Sequence, residues 1–319
     1  MTFLWSIHLY PPVHNCGSEL MAHQISKHLI SKGHTVRVLL NQAVRHNITK
    51  PYDWEGVTVF PPKSKEDLYR NCDVILTHLE YTQEAVFAGR KHRKPVVHFV
   101  HNDTPYQSII NAPDVKVVYN SNWIKEKLNY PNDSFVMEPP CDYRYYDVCK
   151  EPEKNEYITL INLDWNKGGE VFQKLAKLLP DKKFLGVKGS YNYDERGQYT
   201  DQPGNVTVIN NTPDILSVYR QTRVLIMPSL YESWGRTATE AAASGIPVIA
   251  ARTPGLAENL GKAGLFVDDR DDVEAWVRWI KRLDDKKFYN QVSKMCRERS
   301  KELDPIEKLN QLEYWLTKR

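Results

Sequence analysis

Short apolar runs recur along the first half of the chain, and several of them are apolar almost throughout instead of alternating with polar residues. Six runs of this kind lie at residues 3–9, 35–40, 57–60, 73–77, 95–100 and 115–119. Strands that are buried on both faces of a parallel sheet show this pattern. The runs therefore predict a parallel sheet that is covered on both faces.

Stretches with helical periodicity separate these runs, and the clearest of them spans residues 18–32. Ser18 can cap its first turn, and Gly33 can end it. Its apolar positions recur at every fourth residue, at Met21, Ile25 and Leu29. Strands that alternate with helices of this kind are typical of βαβ units.

The second half repeats this alternation after a looser stretch that is rich in proline, charged and aromatic residues. Its apolar runs lie at 157–161, 183–187, 206–209, 223–227, 246–250 and 265–267, and helices are predicted at 272–283, 286–301 and 305–316. The chain is therefore predicted to be an α/β protein with two Rossmann-like domains in tandem. We expect the domains at 1–150 and 151–304, with a C-terminal helix in 305–319 that can pack back on the first domain.

Composition narrows the class of protein. With 319 residues, 41% of them apolar and 26% charged, the chain is long enough for two globular domains and is neither disordered nor fibrous. A net charge of +3 shows no general preference for nucleic acid. Five cysteines without a C-x-x-C pair indicate reduced thiols and a cytoplasmic protein. No signal peptide is recognisable and no apolar stretch approaches the roughly 18 residues of a membrane span, so we expect no integral membrane association.

Two loops are candidates for ligand binding, because each lies between a predicted strand and the start of a helix, where free N–H groups attract anions. The first loop spans residues 8–19 and contains Gly17, which would let a phosphate approach the backbone closely. A glycine ahead of a helix is also ordinary turn chemistry, so this loop alone is a weak signal.

The second loop carries more information, since it leads from a predicted strand into a helix that begins near Gly235. A diphosphate could lie against the N–H groups at the start of this helix, at Gly235, Arg236 and Thr237. Glu232, in the loop, could accept hydrogen bonds from sugar hydroxyls, and Glu240, inside the helix, from ribose hydroxyls. Taken alone, the two glutamates could equally be a turn residue and a solvated helix residue.

The order strand, Pro-Ser, Glu, Gly, Glu and Gly-x-Pro in this segment resembles the family 4 retaining glycosyltransferases of GT-B fold, whose E-x7-E element is matched by Glu232 and Glu240. Further matching positions are Pro11, Pro12, Gly17, Glu19, Lys167, Gly168, Pro228, Ser229, the stretch 245–248, Gly255 and Glu258. The resemblance implies two Rossmann-like domains that face a central cleft. It also implies a hexosyl- or related transferase that holds a nucleotide-diphosphate sugar mainly on the second domain and an acceptor mainly on the first. Retention of configuration and independence of metals and cofactors are implied as well.

The resemblance also implies roles for individual residues. The family pairs its lysine with an arginine five residues earlier, where this chain has Asn162, so Lys167, alone or with Arg236, is expected to neutralise the leaving diphosphate. His101 is expected to contact the transferred sugar or to assist the acceptor, and Asp103 is a secondary candidate for orienting the acceptor hydroxyl. The predicted catalytic residues are His101, Glu232 and Lys167. The predicted donor-binding residues are Gly17, Lys167, Glu232, Gly235, Arg236, Thr237 and Glu240.

No metal site is predicted from the sequence. All ten histidines fall within the first 101 residues, and His98 and His101 form an H-x-x-H pair. Two histidines at that spacing on a strand point to different faces and do not make a ligand set, so His98 is expected to pack in the sheet. The D-x-D at Asp269 and Asp271 is expected to belong to the start of a helix.

Two other functions fit the same pattern of elements, namely a sugar-nucleotide epimerase of the same fold and a nucleotide-sugar-binding protein without catalytic activity. A nicotinamide dehydrogenase is disfavoured, because no predicted strand is followed by the glycine fingerprint and an acidic residue about twenty positions later. The acceptor is left open by the sequence. A glycan, a protein, a lipid headgroup or a modified DNA base would each suit the polar and aromatic loops of the first domain.

Overall fold

The computed structural model describes residues 1–106, 109, 112–189 and 203–318. The chain forms two compact units, which we call unit 1 (Met1–Pro140 with Pro305–Arg319) and unit 2 (Cys141–Asp304). The boundary after Pro140 comes earlier than the expected one near residue 150. The reason is a short helix, Tyr143–Tyr146, whose last residue is buried in the core of unit 2.

Unit 1 is built on a sheet of eight strands. In chain order they are β1 (Thr2–Ile7), β2 (Thr35–Leu40), β3 (Tyr52–Trp54), β4 (Val57–Phe60), β5 (Val74–His78), β6 (Val96–Val100), β7 (Lys116–Tyr119) and β8 (Ser134–Val136). Their order across the sheet is β3-β4-β2-β1-β5-β6-β7-β8, and all neighbours are parallel except β3 and β4. The six predicted strands are confirmed. The sequence pattern missed β3 and β8, which are three residues long and lie at the two edges of the sheet.

Helices α1 (Gly17–Ser31), α2 (Lys65–Arg70), α3 (Thr82–His92) and α4 (Asn122–Leu128) lie between these strands in the chain. Strands β5 and β6 are buried along their whole length, and each Val, Leu or Ile side chain buried in this way stabilises the fold by about 1.5–3 kcal/mol. The predicted cap of α1 was wrong. The helix begins at Gly17, and the Ser18 hydroxyl donates to the carboxylate of Glu19 at 2.9 Å instead of capping the backbone.

A C-terminal helix (Ile306–Thr317) completes unit 1. Its buried side chains belong to the same core as those of β1, β2 and α1 and are Leu309, Leu312 and Leu316. Lys308 on this helix forms an ion pair with Glu138, which follows β8. The helix therefore adds both apolar packing and a charged contact to unit 1.

Unit 2 contains a second sheet, of six parallel strands. They are β9 (Tyr157–Ile161), β10 (Lys183–Val187), β11 (Val206–Ile209), β12 (Thr222–Met227), β13 (Val248–Ala251) and β14 (Leu265–Val267), in the order β11-β10-β9-β12-β13-β14. Its helices are α5 (Tyr143–Tyr146), α6 (Gly169–Leu178), α7 (Ile215–Tyr219), α8 (Arg236–Ala243), α9 (Pro254–Leu260), α10 (Val273–Arg282) and α11 (Lys286–Glu302). Because β9 and β12 are parallel neighbours, the loops that follow them lie at the same edge of the sheet.

The two largest clusters of buried side chains in unit 2 pack against its sheet. In the larger cluster Phe172 and Phe184 meet edge to face, with 5.5 Å between ring centroids. The smaller one contains the alanines of α8 and side chains of β12 and β13. Throughout the described part of the chain, we find no helix with the length and apolar character needed to cross a membrane.

Candidate functional site

Most of the predicted donor-binding residues lie in the loop between β12 and α8 or on α8 itself. Gly235 directly precedes α8 with a left-handed backbone (φ 81°), a conformation that favours glycine, and a Cβ there would lie 2.5 Å from a methyl carbon of Leu256. Thr237, in the first turn, donates its hydroxyl hydrogen to the sulfur of Met227 at 3.7 Å. The alanines at 241–243 are buried. The sequence thus packs this helix closely in unit 2 and places its N-terminus beside the loop.

Three contacts hold this loop in place. Asn259 Nδ2 donates to the carbonyl oxygens of the two residues that precede α8, at 2.9 and 3.0 Å. Arg270 Nε donates to the carbonyl oxygen of the residue that follows β12, at 2.6 Å. At Gly255 in α9, a Cβ would lie 2.3 Å from the carbonyl oxygen of Glu232, so only glycine allows the helix to approach the loop this closely.

Lys167 and Glu232 form an ion pair that joins the loops after β9 and β12. The Lys167 Nζ lies 2.7 Å from Glu232 Oε1, and the Ser229 hydroxyl donates to the same oxygen at 2.9 Å. The side chains of Lys167 and Glu232 are 29% and 12% exposed. Two residues predicted to be catalytic are therefore in contact, shielded from most of the solvent but still reachable.

The backbone brings the loops that carry this pair together. Gly168, which follows Lys167, adopts φ 92°, and a Cβ there would lie 2.4 Å from Pro228. The N–H of Leu230 donates to the carbonyl oxygen of Asn166 at 2.9 Å. These contacts explain how two segments that are far apart in the sequence hold Lys167 and Glu232 against each other.

Asn162 stands where the resemblance expects an arginine, and its side chain stabilises the turn. Its Oδ1 accepts a hydrogen bond from the N–H of Asp164 at 3.0 Å. Sequence reasoning missed a cation at the same loops, Arg270, whose side chain is 11% exposed. Its guanidinium donates to the carbonyl oxygen of Trp165 at 3.1 Å and lies 3.0 Å from Glu170. Arg270 is the middle residue of the D-x-D segment, and the sequence analysis assigned that segment only to the start of a helix.

Glu240 is buried in unit 2, and both of its carboxylate oxygens have partners. Oε1 lies 2.6 Å from Arg236 Nε, and Oε2 accepts a hydrogen bond from the Tyr219 hydroxyl at 2.7 Å. Arg236 also donates to the Tyr146 hydroxyl at 3.1 Å. Burial and the nearby Glu240 raise the pKa of Tyr219 well above its usual value, so this hydroxyl keeps its hydrogen. Arg236 and Glu240, expected to meet a diphosphate and a ribose, are paired with each other.

Polar side chains also gather at the carboxyl ends of strands in unit 1. His8 follows β1, His78 ends β5 and His101 follows β6, and these strands lie side by side. His101 Nε2 lies 3.0 Å from His78 Nδ1. Burial lowers the pKa of His101 to about 4 and that of His78 well below its usual value, so both rings are neutral near pH 7. Sequence analysis singled out His101 alone, because the runs predict where strands end but not which strands are neighbours.

Glu19, in the first turn of α1, contacts two histidines. Its Oε1 is in contact with His8 Nε2 and lies 3.2 Å from His14 Nδ1. Burial alone would raise the pKa of Glu19, but the contacts with His14 and His8 hold it well below its usual value. Burial alone would lower the pKa of His14, but Cys16 and Glu19 raise it to about 10. The cluster therefore contains an ionised carboxylate and a protonated imidazole.

Comparison with known proteins identifies part of the chain. Residues 148–302 match the model of the family described as Glycosyl transferases group 1. This segment is therefore similar to the group 1 glycosyl transferases. The matched segment includes the Lys167–Glu232 and Arg236–Glu240 pairs, whereas the histidines of unit 1 lie outside it.

Individual proteins extend the likeness to group 1 glycosyl transferases. Sulfoquinovosyl transferase SQD2 of Arabidopsis thaliana is 30% identical over 162 residues, which are 48% of this chain and 31% of that protein. The chain spans less than a third of the length of the first curated relatives that it matches. The crystal structure of a glycosyltransferase from Rickettsia africae ESF-5 has a TM-score of 0.77 at 16% identity and covers 100% of this chain and 99% of its own.

The likeness in fold includes both units. Anabaena Alr3699/HepE in complex with UDP-glucose has a TM-score of 0.78 at 16% identity, over 98% of this chain and 98% of that chain. Together with the two mainly parallel sheets, these structures show that the predicted fold class is right, because the chain has the two Rossmann-like parts of the GT-B fold.

Unit 1, outside the matched segment 148–302, contains a group of side chains with the spacing of a metal site. One donor atom from each of His8, His14 and Glu19 lies within 4.8 Å of the others. Two imidazoles and a carboxylate are a set that zinc accepts, so the absence of a required metal stays a prediction. The D-x-D segment precedes α10, whose cap is Asp272, which accepts from the N–H of Ala275 at 3.0 Å.

The remaining predicted residues of unit 1 each have a defined place. His98 is buried within β6, with Nδ1 2.8 Å from the Thr82 hydroxyl, as expected for a histidine packed in the sheet. Asp103 forms an ion pair with Lys127. Gly17 begins α1, and apart from its chain neighbours and the helix backbone no atom of the described residues lies within 4 Å of where its Cβ would be, so there is open space beside the backbone.

Proposed function

We propose that this protein transfers a sugar from a nucleotide-diphosphate sugar to an acceptor hydroxyl, with retention of anomeric configuration and without a metal. One observation carries the proposal: the Lys167–Glu232 ion pair lies where the loops after β9 and β12 meet. Open α/β sheets bind ligands at this edge. The group 1 glycosyl transferase match of this segment, and the UDP-glucose complex of the structurally similar Anabaena protein, support the choice of ligand.

The proposed reaction needs positive charge where the bond between sugar C1 and the phosphate oxygen breaks. The bonding electrons pass to that oxygen, and cations or oriented N–H groups beside it lower the barrier. The Lys167 ammonium and the first N–H groups of α8, at Gly235, Arg236 and Thr237, are suited to this task. Glu232 holds Lys167 and uses its other lone pairs to accept from sugar hydroxyls.

In this proposal the carboxylate of Glu240 accepts hydrogen bonds from the ribose hydroxyls of the donor. An ionised carboxylate offers about four acceptor positions, and the contacts with Arg236 and Tyr219 described above use two of them. Arg236 then acts by orienting Glu240, and the diphosphate charge falls mainly to Lys167. This assignment follows from burial, because the Arg236 side chain is 7% exposed and that of Lys167 is 29% exposed.

Unit 1 is proposed to receive the acceptor, whose hydroxyl replaces the phosphate at sugar C1 while its proton passes to the leaving phosphate oxygen. His101 and Asp103 are the side chains assigned to this hydroxyl, and Gly17 offers open backbone to the diphosphate. A glycan, a protein, a lipid headgroup or a modified DNA base would each supply the hydroxyl.

A screen of nucleotide sugars by thermal denaturation tests the donor. A donor present at a hundred times its Kd raises the stability by about 2.7 kcal/mol. Lys167→Ala is expected to reduce this gain, whereas Lys174→Ala, which removes an exposed lysine from α6, is the matched control and should retain it. The proposal fails if no nucleotide sugar stabilises the protein.

Product analysis then separates transfer from the alternatives. NMR assignment of the product anomer tests retention, and transfer in the presence of EDTA tests independence of metals. A modified sugar nucleotide formed without any acceptor would instead identify an epimerase. Donor binding without hydrolysis or transfer to any member of a broad acceptor panel would identify a non-catalytic binding protein.

A further inference from the structure

Three side chains with metal-binding atoms meet in unit 1, and the proposed reaction uses none of them. His8 follows β1, His14 lies in the loop after it, and Glu19 lies in the first turn of α1. One donor atom from each lies within 4.8 Å of the others, and in the part of the chain that the structure describes no second group of three such residues meets this spacing. The three residues are 4%, 6% and 0% exposed. Since polar groups are costly to bury without partners, such a set needs an explanation.

Glu19 is the member that the two histidines share. Its Oε2 accepts a hydrogen bond from the Ser18 hydroxyl at 2.9 Å. Its Oε1 is in contact with His8 Nε2 and lies 3.2 Å from His14 Nδ1, yet among the described residues this oxygen has no hydrogen bond. A buried carboxylate oxygen that faces two imidazole nitrogens without a hydrogen bond is satisfied when one cation binds all three atoms.

We propose that His8 Nε2, His14 Nδ1 and Glu19 Oε1 bind one zinc ion. Ligand atoms at about 2.0–2.2 Å from zinc, with tetrahedral angles, lie about 3.3 Å from one another. The 3.2 Å between His14 Nδ1 and Glu19 Oε1 agrees with this separation. The ion would separate His8 Nε2 from the carboxylate that it now contacts. The fourth position is left to a water molecule.

The kinds of ligand atom select the metal. Zinc accepts imidazole nitrogen and carboxylate oxygen together. Calcium takes about six to eight oxygen ligands, and magnesium requires an octahedral shell that it fills mainly with oxygen. Two imidazoles and one carboxylate suit neither of these ions. We therefore expect zinc to bind and calcium and magnesium not to compete with it.

The ion would join three separate points of one segment, because its ligands come from the end of β1, the following loop and the start of α1. An ion that binds the folded segment but not the unfolded chain adds its binding free energy to stability. Its nitrogen ligands bind through lone pairs, so any proton on them passes to solvent when the ion binds. The site is independent of the proposed transfer, and the inference thus goes beyond the proposed function.

Zinc binding is measured on the full chain without any sugar nucleotide. The protein is freed of metal with EDTA, the chelator is removed, and zinc is added in a calorimetric titration and in thermal denaturation. We expect one zinc ion per chain and a higher Tm with zinc, but no change in Tm with calcium or magnesium. Absence of a bound equivalent, or displacement of zinc by excess magnesium, would overturn the proposal.

X-ray absorption at the zinc edge identifies the ligand atoms. We expect nitrogen or oxygen atoms at about 2.0–2.2 Å, with the multiple scattering of two imidazole rings and no sulfur at about 2.3 Å. Cys16 is the nearby alternative ligand, because its Sγ lies 3.8 Å from His14 Nε2. A sulfur ligand would place the ion at Cys16 and would overturn the proposed set.

Variants of the ligands test the assignment. Loss of a group that only supports a metal ligand already costs about 10- to 100-fold in affinity, so Glu19→Gln should weaken zinc binding by about 100-fold or more. His14→Gln is the second variant and should have a similar effect. Glu313→Gln is the matched control, because it removes a carboxylate 2.8 Å from the ring nitrogen of another histidine of unit 1, His34. It should bind zinc like the wild type.

The outcomes separate this inference from the proposed function. Equal zinc affinity in the wild type and both ligand variants would overturn the site, whether or not the protein transfers a sugar. If Glu19→Gln does not fold, His14→Gln and the absorption spectrum of the wild type decide. Zinc binding without binding of any nucleotide sugar would support the site while the proposed function fails. Transfer that is lost in EDTA and restored by zinc would support the site and contradict the metal independence of the proposed reaction.

Discussion

The two units share an architecture but carry different polar side chains at corresponding places in it. In both, polar side chains gather at the carboxyl ends of parallel strands. Unit 2 places fixed charges there, in the pairs Lys167–Glu232 and Arg236–Glu240. Unit 1 places imidazoles around Glu19, among them the neutral ring of His101. This difference agrees with the proposed division of tasks, because fixed charges suit a diphosphate and neutral imidazoles suit hydroxyl groups.

The two ion pairs of unit 2 also differ from each other. The side chains of Arg236 and Glu240 are 7% and 5% exposed, whereas those of Lys167 and Glu232 are 29% and 12% exposed. A buried pair is costly to break, since the partner that remains is left charged and desolvated. A pair that is still reachable can exchange partners with a ligand. We therefore expect the first pair to matter more for stability and the second for turnover.

The largest effect is expected for Arg236→Met, which leaves the buried Glu240 without its cation. The free energy of unfolding, measured with urea, should fall by about 3–5 kcal/mol. Arg252→Met is the matched control, because Arg252 pairs with Asp268 at the surface with side chains 50% and 79% exposed. That control should cost about 0–1 kcal/mol. Similar small losses in both variants would contradict the distinction between the two pairs of unit 2.

The next largest effect is expected for Lys167→Ala. Removing one group that stabilises the leaving phosphate lowers kcat by about 100- to 1,000-fold. The free energy of unfolding should change by about 1 kcal/mol or less, since Lys167 is partly exposed. Lys174→Ala, on the exposed face of α6, should change neither quantity. Turnover that is unchanged in Lys167→Ala would remove the assigned role.

How far the sequence could predict the site differs between the units. In unit 2 most of the predicted site residues lie in one short stretch of sequence. Glu232, Gly235 and Glu240 could therefore be predicted from that stretch, and Lys167 could be predicted from its match to the family. The pairing of Arg236 with Glu240 was readable as an i, i+4 spacing, but burial decides that they bind each other, and burial depends on Tyr146 and Tyr219 from other helices.

In unit 1 the site is assembled from four separate places in the chain. His8, Glu19, His78 and His101 lie on or beside three strands and one helix. The apolar runs predicted the three strands, although the run at 3–9 continues past the end of β1 at Ile7 and therefore includes His8. They did not predict that β5 lies between β1 and β6, because strand order is decided by tertiary packing and not by local pattern. The same holds for the boundary after Pro140, which depends on where α5 packs.

The pH dependence of the free energy of unfolding is expected to differ between His14 in unit 1 and Arg236 in unit 2. The His14 pKa is raised to about 10 by Cys16 and Glu19 against the effect of burial, so its contribution is complete below pH 6.5 and is lost as the pH rises toward 10. We expect the free energy of unfolding to fall over this window by about 1–3 kcal/mol through His14. Arg236, whose pKa is raised by Tyr146 and Glu240 despite burial, keeps its charge throughout.

The His14 contribution is isolated by comparing pH profiles. In His14→Gln the decline between pH 6.5 and 10 should be smaller than in the wild type, because other groups that titrate there are common to both proteins. Urea denaturation at four or five pH values measures it. Parallel profiles would show that the contact of His14 with Glu19 contributes no ionic stabilisation.

The smallest effect is expected for Asp103→Asn, which tests whether the hydroxyl site of unit 1 extends beyond His101. Asp103 pairs with Lys127, and pairs as exposed as this one contribute about 0–1 kcal/mol to stability. If Asp103 orients the acceptor, its replacement raises the acceptor KM severalfold at nearly constant unfolding free energy. Asp114→Asn, which breaks an exposed pair with Arg90, is the control and should leave KM unchanged. An equal KM in both variants would leave Asp103 as a surface ion-pair residue without the proposed role.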